Sequence, residues 1–423
     1  MSTGDFRMPP LRSSPVDYRE EVDDIEFKTK TMILRNGITL LFLFATLYCQ
    51  AQEINQQALQ TLLQQAEASH SDGVVIYHKG KLVGEWYFGK EPKRVDCKSV
   101  TKSITGLAVG LLVTQGKLAV DQKVAEFYPS WDQEVKRDIS VRHLMAHTSG
   151  LLDSEFSLVE NTPDAVEYAL VSTLTHPVGQ YHVYNNKAIN MLAGIIEKAA
   201  GMPMDQWVEK ELFRPLGITD FFWRKDAAGS PYCMAFLEIR PLDLAKIGQL
   251  LLQNGQWEGR QLISQAFIEE ATRPAAPFLP DYGLLWELYT DKLEFVVDAS
   301  QLQALEAAGV HPDFLAKARQ MAGRYEGYRG YYGKVREVFG KDTWQAEFQR
   351  HLWPTGLHLG RKEAGAQWAF AGLGYLGQHL VVYPEAELVA VRLIAHYDGY
   401  DWETDELEDF PKLVRALVEG AGR

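Results

Sequence analysis

The sequence predicts an α+β fold in which one antiparallel sheet is assembled from both ends of the chain. Strand-like patterns lie near the start, at residues 73–77 and 82–88, and again near the end, at residues 378–396. The stretch between them, about residues 120–270, is dominated by apolar residues at helical spacing. Terminal helices would therefore pack on the sheet, and a helical lobe would lie at one edge of it.

The individual elements follow in chain order from local patterns. A first helix is expected over residues 54–70, which combine Gln, Ala and Leu at helical spacing. The two early strands are joined by the turn His78-Lys79-Gly80-Lys81 and form a hairpin. A long apolar run at residues 104–113 predicts a buried helix directly after them. The other expected helices cover residues 163–174, 188–200, 204–212, 241–254, 264–271 and 410–419.

The composition limits the classes of function. The chain has 423 residues, of which 46% are hydrophobic and 23% are charged, values that are ordinary for a soluble globular protein. This length is enough for two packed lobes or one large domain with insertions. The formal net charge of −13 argues against a nucleic-acid partner, because phosphate binding needs clustered Lys and Arg.

The N-terminal region has the pattern of an export signal. From Met32 the chain has a basic start, an apolar run at residues 38–48 and the small residue Ala51 at a cleavage position. Residues 32–51 are therefore predicted to be a signal peptide, and the mature protein is expected to be secreted or periplasmic. The run is too short to cross a bilayer, so no stable membrane span is expected in the mature protein. Residues 1–31 are interpreted as a non-native or disordered extension, with a cytoplasmic tail before a signal anchor as the alternative.

The three cysteines do not indicate a metal site. Cys49 falls in the predicted signal, and neither a C-x-x-C pair nor a Cys/His zinc spacing occurs. Cys97 and Cys233 are expected to be buried free thiols, although a disulfide between them is an open alternative. No metal and no cofactor are predicted.

The tetrad Ser99-Val100-Thr101-Lys102 is the most informative motif of the chain. Ser99 falls at the start of the predicted buried helix, near free backbone N–H groups and the positive end of the helix dipole. Lys102 lies one turn further along the same face. A desolvated lysine has a lowered pKa and can accept the proton of the serine, which makes the hydroxyl nucleophilic. The S-x-x-K pattern alone is weak, so the prediction depends on what accompanies it.

Other short elements follow the tetrad in a fixed order. They are the Tyr184-x-Asn186 element ahead of a helix, the segment His147-Thr148-Ser149-Gly150-Leu151 between it and the tetrad, and a glycine-spaced stretch at residues 372–378. This combination resembles the serine β-lactamase and penicillin-binding-protein superfamily. The best match is its class C-like branch of esterases, D-amino-acid and DD-peptidases, and 6-aminohexanoate-dimer hydrolases. The resemblance covers about residues 72–395 and implies a β-lactamase/transpeptidase-like fold with the active site between the lobes.

The resemblance also implies a role for each site residue. Ser99 would be the acylated nucleophile, Lys102 its activating partner, and Tyr184 the group that moves a proton between the serine, the leaving group and water. The proximity of Lys102 would lower the pKa of Tyr184. Asn186 would hydrogen-bond Lys102 and the carbonyl side of the substrate. An oxyanion needs two N–H donors, which would be Ser99 and a residue of the glycine-spaced stretch at residues 372–378. This stretch is the third motif, after the S-x-x-K tetrad and the Y-x-N element. Tyr375, next to Gly374, is predicted to be the second donor.

Two features of this chain depart from the wider superfamily. The third motif usually offers a lysine or histidine, whereas Gly374-Tyr375-Leu376-Gly377 offers neither. The resemblance therefore favours the esterase and oligomer-hydrolase branch over β-lactamases and carboxypeptidases. Residues 287–366 are covered least by the resemblance and are interpreted as an insertion between two strands. Helices are expected there at residues 301–307, 312–323 and 342–351. This insertion could be a surface decoration, a lid or an association surface.

Several other side chains have more than one interpretation. His143 and His147 have the i, i+4 spacing of a metal pair, but no H-E-x-x-H motif accompanies them, and the resemblance makes the His147 segment a structural turn. Tyr282 and Trp286 could line the pocket or pack in the core.

The sequence thus predicts a secreted serine hydrolase whose partner is a small-molecule or peptide-like ester or amide. The domain would cover residues 54–423. A β-lactamase or DD-peptidase is the first alternative. A catalytically idle protein that binds cell-wall peptides is the second.

Overall fold

A six-stranded antiparallel sheet lies at the centre of the molecule. The computed structural model describes residues 54–132, 134–401 and 404–419, and Asn55–Glu419 form one compact unit. The strands are β1 (Gly73–His78), β2 (Lys81–Trp86), β3 (Val95–Asp96), β4 (Phe221–Trp223), β5 (Leu237–Ile239), β6 (Gln256–Trp257), β7 (Arg260–Gln261), β8 (Glu287–Thr290), β9 (Leu293–Val297), β10 (Gly323–Glu326), β11 (Arg361–Ala364), β12 (Gln367–Gly374), β13 (Gln378–Tyr383) and β14 (Leu388–Leu393).

Strands from both ends of the chain meet in the middle of this sheet. The order across it is β2-β1-β14-β13-β12-β8, and neighbouring strands are antiparallel. Val391 of β14 lies opposite Val75 of β1 on one side and Leu380 of β13 on the other. Every side chain of β14 is buried, as expected for a strand covered on both faces. The predicted α+β fold with a sheet from both chain ends is therefore confirmed.

Helices cover the sheet and form most of the middle of the chain. The first and last helices pack against each other, and the helix that starts at Pro241 packs on β1, β13 and β14. Gln256 to Gln261 form only a small separate hairpin. The α-helices are α1 (Gln56–Ala68), α2 (Val100–Thr114), α3 (Val141–Met145), α4 (Phe156–Glu160), α5 (Ala165–Leu170), α6 (Met191–Ala200), α7 (Met204–Val208), α8 (Pro241–Leu252), α9 (Gln265–Ala271), α10 (Ala299–Ala307), α11 (Pro312–Arg319), α12 (Gly327–Phe339), α13 (Trp344–His351) and α14 (Phe410–Ala416).

Helix α2 runs through the core and holds the start of the tetrad in place. Its residues from Val100 to Leu112 are all buried, which explains why it is apolar on every side. A Cβ atom at Gly110 would lie 2.4 Å from a ring carbon of Phe267, so only glycine lets α9 approach this closely. A helix packed on all sides has little freedom to tilt, and its N-terminus is therefore well positioned.

The chain between β8 and β12 forms a small structure of its own. The two strands are hydrogen-bonded neighbours in the sheet, and the intervening residues add β9, β10, β11 and helices α10 to α13. Phe295, Phe314 and Phe348 belong to a separate apolar core there. The sequence predicts three of these helices but not the three-stranded sheet of order β10-β9-β11. Its strands are short and partly exposed, so their apolar pattern is weak.

The predictions for the first 51 residues fall outside this description. The extension at residues 1–31 and the signal peptide at residues 32–51 both precede the described residues, so the expected secretion stays a prediction. In the part of the chain that the structure describes, no helix combines the length and the apolar character needed to cross a membrane.

Candidate active site

Ser99 lies at the N-terminus of α2, but its side chain does not cap that helix. The Ser99 hydroxyl makes no capping hydrogen bond, and its N–H has no acceptor among the described residues. The preceding residue, Lys98, has a φ of 51°, and its N–H donates to Asp96 Oδ1 at 2.8 Å. A lysine in the left-handed region is strained, and such strain is concentrated at functional sites. Ser99 therefore does not act as an ordinary capping serine.

Lys102 contacts the Ser99 hydroxyl directly. Its Nζ lies 2.9 Å from Ser99 Oγ and 2.7 Å from the carbonyl oxygen of Met234. Only 2% of Lys102 is exposed. Burial lowers the pKa of Lys102 to about 7, although the nearby charge of Asp153 opposes the shift. Near pH 7, Lys102 is therefore a neutral amine in a large fraction of the molecules, and this amine can accept a proton from Ser99.

Tyr184 lies on the other side of the same pair. Lys102 Nζ is 4.8 Å from the centroid of its ring, and a hydrogen-bonding interaction joins the phenol to Ser99. Burial nevertheless raises the pKa of Tyr184, even though 39% of the residue is exposed. The prediction that Lys102 would lower this pKa is wrong, because desolvation raises it, the charges of Glu287 and Asp153 raise it further, and only the interaction with Ser99 opposes the shift. Tyr184 thus keeps its proton and can act as an acid.

The two asparagines after Tyr184 have different surroundings. Asn185 is buried, and its side chain donates to the Leu151 carbonyl at 2.8 Å and accepts from Ala188 N–H at 2.7 Å. Asn186 Oδ1 is buried and has no hydrogen-bond partner among the described residues. The expected hydrogen bond from Asn186 to Lys102 is not formed among the described residues, where Lys102 Nζ contacts Ser99 Oγ and the Met234 carbonyl. Asn186 is left with an acceptor free for a ligand.

The imidazole ring of His147 packs against the ring of Tyr184. Its ring centroid is 4.5 Å from that of Tyr184, and its Nδ1 accepts from the Asn185 N–H at 3.1 Å. Burial lowers the pKa of His147 well below its usual value, so the imidazole is neutral. His143 Nδ1 instead accepts from the Ser140 N–H at the start of α3. The two imidazoles therefore serve separate backbone segments and are not paired as metal ligands.

The third motif lies at the end of a strand and not at the start of one. Gly374 is the last residue of β12, and the Gly377 N–H donates to its carbonyl at 3.1 Å across a tight turn. Tyr375 lies in that turn and is 55% exposed. A Cβ atom at Gly374 would lie 2.6 Å from the Cys97 carbonyl oxygen, so glycine allows this strand end to pass the segment before Ser99.

The register of the ladder bears on the second oxyanion donor. Gly374 faces β13 with its N–H and C=O, and successive residues of an antiparallel strand alternate in this respect. The N–H of Leu373 therefore points to the opposite edge, where pairing with β8 has ended at Ala371 and Glu287. Tyr375 lies two positions further along, so the alternation does not separate it from Leu373. The assignment of the second donor to Tyr375 stays a prediction.

A group of charged residues beside this edge was missed by the sequence analysis. Glu287 lies opposite Ala371, and burial together with the charge of Asp281 raises its pKa to about 8. Lys362, from the insertion, lies 2.7 Å from Asp281 and partly offsets this shift. No local pattern indicates such a group, since Lys362 and Asp281 are 81 positions apart.

The remaining candidates are packing residues. Tyr282 is buried with its ring 5.7 Å from His147, and buried Trp286 packs edge-to-face on Phe370. Cys97 and Cys233 are buried free thiols, as expected, and burial raises the pKa of each to about 12.

Comparisons with known proteins find a matching family and several similar chains. A family model described as Beta-lactamase matches residues 58–406. The chain is similar to N-acetylmuramyl-L-alanine amidase of Bacillus subtilis (strain 168), with 24% identity over 245 residues that cover 45% of this chain and 56% of the relative. It is also similar to esterase EstB of Burkholderia gladioli, with 27% identity over 177 residues that cover 35% and 44%. The chain thus spans about half the length of these curated relatives.

One solved structure extends the likeness to the fold. A Bacillus anthracis protein provisionally assigned as a 6-aminohexanoate-dimer hydrolase superimposes with a TM-score of 0.55 and 17% identity. The match covers 78% of this chain and 75% of that one. At this identity the likeness concerns the fold alone.

Proposed function

The chain belongs to the Beta-lactamase family, and from this premise we propose that it is a serine hydrolase that cleaves an ester or amide bond through an acyl-enzyme on Ser99. One observation carries the proposal: Lys102 Nζ lies 2.9 Å from Ser99 Oγ in a buried environment. A general base needs this contact and a pKa near the working pH. The pKa of Lys102, lowered to about 7, meets the second condition.

The first step forms the acyl-enzyme. Lys102 accepts the Ser99 proton while Oγ attacks the substrate carbonyl, and the negative charge develops on the carbonyl oxygen. Two backbone N–H groups stabilise that oxyanion, one from Ser99 and one from the end of β12, where Tyr375 and Leu373 are the two candidates. The leaving atom takes a proton from the Tyr184 hydroxyl, and the Lys102 ammonium returns a proton to Tyr184. The alcohol or amine then departs and leaves the acyl group on Ser99.

The second step releases the acyl group. A water molecule attacks the ester carbon and gives a proton to the neutral amine of Lys102, either directly or by exchange through the Tyr184 hydroxyl. The Lys102 ammonium then protonates Ser99 Oγ as the bond between Oγ and the acyl carbon breaks, and the acid product leaves. The free Oδ1 of Asn186 is positioned to accept a hydrogen bond from a donor of the substrate, such as an amide N–H.

A β-lactamase or DD-peptidase is the second candidate, since the family contains both. It is disfavoured here because the third motif carries no lysine or histidine to hold a substrate carboxylate. Lys362, a cation contributed by the insertion, is already paired with Asp281. An idle binding protein is disfavoured by the contact between Ser99 and Lys102.

The experiment that tests the proposal compares two substrates and maps one adduct. We expect the protein to hydrolyse p-nitrophenyl acetate with a kcat/KM at least about 100-fold above that for nitrocefin. We also expect a fluorophosphonate probe to add once, on the peptide that contains Ser99, as read by mass spectrometry. Heat-denatured protein is the control for non-specific labelling. An adduct elsewhere, or the opposite substrate ranking, would contradict the proposal.

The pH dependence follows from the lowered pKa of Lys102. The neutral amine is the active form, so kcat/KM should rise with pH through about 7 and level off above about pH 8. Because burial raises the pKa of Tyr184, no decline from loss of its proton is expected up to pH 9. The measurement is p-nitrophenyl acetate hydrolysis from pH 5.5 to 9, corrected for the spontaneous reaction. A profile that stays flat across pH 6–8 would rule out Lys102 as the base.

A further inference from the structure

A cavity of about 560 Å³ lies beside the proposed catalytic centre. One wall is the segment at residues 176–183, which leads directly to Tyr184, and the other wall belongs to the insertion between β8 and β12. This volume falls in the range of about 300–1,000 Å³ that is typical of small-molecule sites. The family motifs do not account for this space, because most of its wall is built from the insertion.

The walls of the cavity are mainly aromatic. Phe295 and Tyr331 stack with ring centroids 4.3 Å apart, and Tyr332 packs against Trp344 at 5.5 Å. The ring centroid of Trp353 lies 4.5 Å from that of His176, and both residues line the cavity. Aromatic rings that line a void gain contacts when another ring fills it in offset or edge-to-face geometry. The walls therefore favour a planar aromatic group.

The charges around the cavity are already balanced. Lys362 lies 2.7 Å from Asp281, and Arg361 is paired with Asp298 and with Glu363 at 2.7 Å. An anionic ligand would have to compete with these carboxylates, and a cationic ligand would meet two cations in the wall. Both would also lose hydration on entering an aromatic space. An uncharged ligand is favoured.

Two buried imidazoles add polar atoms to the same wall. The Nε2 atoms of His176 and His182 are buried and have no hydrogen-bond partner among the described residues. His176 is 8% exposed, and burial lowers the pKa of His182 to about 4, so that ring is neutral at pH 7. Buried polar atoms normally have a partner. The ligand is therefore expected to carry a polar atom as well as the aromatic ring.

The cavity and the catalytic centre share a wall. Val183 lines the cavity and immediately precedes Tyr184, and His182 lies against His147, whose ring contacts Tyr184. In the proposed reaction Tyr184 protonates the leaving group, so the leaving group is the part of the substrate nearest to this wall. We propose that the cavity binds an uncharged aryl leaving group, which makes the substrate class aryl esters or anilides. This inference rests on the proposed function for the assignment of the leaving group.

The experiment narrows the cavity without touching the catalytic residues. Ala304 lines the cavity from the exposed side of α10, and Ala307 lies one turn further on the same helix outside the lining. Ala304→Trp should fill the mouth, and Ala307→Trp is the matched control. Binding is read with the neutral fluorescent probe N-phenyl-1-naphthylamine on the full chain. We expect one saturable site, with a Kd at least about tenfold weaker in Ala304→Trp and unchanged in Ala307→Trp.

A second measurement links the cavity to the reaction. The measurement is the ratio of kcat/KM for 2-naphthyl acetate to kcat/KM for methyl acetate. The different intrinsic reactivities of the two esters cancel when this ratio is compared between variants. The ratio should fall at least about tenfold in Ala304→Trp and stay unchanged in Ala307→Trp. Ala304→Phe repeats both measurements with a smaller side chain if the tryptophan variant fails to fold.

The outcomes separate this inference from the proposed function. Absence of saturable probe binding overturns the aryl subsite, whatever the esterase activity. Probe binding that Ala304→Trp weakens, with an unchanged ratio for the two esters, also overturns it, because the cavity would then not serve the reaction. If neither ester is hydrolysed while the probe binds as expected, the proposed function fails and the assignment of a leaving group falls with it, but the aryl site stands.

Discussion

Ser99→Ala should abolish hydrolysis of p-nitrophenyl acetate and all labelling by a fluorophosphonate, with a fall in kcat of at least about 10⁴-fold. The hydroxyl would supply the atom that forms the acyl bond, and no other described hydroxyl forms a hydrogen bond to Lys102 Nζ. Stability should change little. A capping serine contributes about 1 kcal/mol to a helix, but the Ser99 side chain makes no capping hydrogen bond. Loss of activity without loss of the fold is the expected result.

The matched control for this variant is Ser103→Ala on the same helix. The Ser103 hydroxyl donates to the Leu285 carbonyl at 2.8 Å, so its loss should lower stability by about 1 kcal/mol while labelling of Ser99 persists. Activity is measured with the ester, and folding is followed by circular dichroism and thermal unfolding. Residual labelling of Ser99→Ala at the wild-type level would show that another residue is the nucleophile.

Lys102→Ala should lower kcat/KM for the same ester by about 10³-fold or more, because general-base catalysis is worth roughly 10²–10⁴-fold. Lys102→Arg should lose as much, since a guanidinium stays charged and cannot accept the Ser99 proton. The fold should survive, because removal of a buried amine relieves its desolvation while it leaves one acceptor, the Met234 carbonyl, without this partner. The readout is the rate of fluorophosphonate labelling together with steady-state kinetics.

A surface lysine is the control for the loss of charge. Lys117 lies just beyond the end of α2, is exposed and contacts the ring of Trp207. Lys117→Ala should keep full activity. Lys102→Ala protein that labels Ser99 at a near-normal rate would remove the lysine from the mechanism and leave the lowered pKa without a catalytic role.

Much of the fold was predictable because its signals are local. The strands at both ends of the chain show in short apolar stretches, and the buried helix α2 shows in its run of Ile, Leu, Val and Ala. The small sheet of the insertion was not predictable in the same way. Its strands β9, β10 and β11 pair across as many as about 70 residues of chain, and their exposed positions carry no regular alternation.

The candidate site was predictable only in part. The contact of Ser99 with Lys102 depends on one helical turn and was expected from spacing alone. The contact of Lys102 with the Met234 carbonyl was not expected, because the two residues are 132 positions apart in the chain. Asn186 was the expected partner, yet its Oδ1 stays free. Every residue carries a backbone carbonyl, so the sequence does not indicate which distant carbonyl a side chain will contact.

The sequence by itself determined the family, the α+β class and the order of the three motifs, because residue type and spacing are enough to specify them. Only the tertiary structure decided that the N–H of Leu373 turns to the open edge of β12, and that the insertion encloses an aromatic cavity beside Tyr184. The physical reason is the same in both cases. The direction of a backbone amide is set by ladder register, and an enclosed volume is set by how distant segments pack.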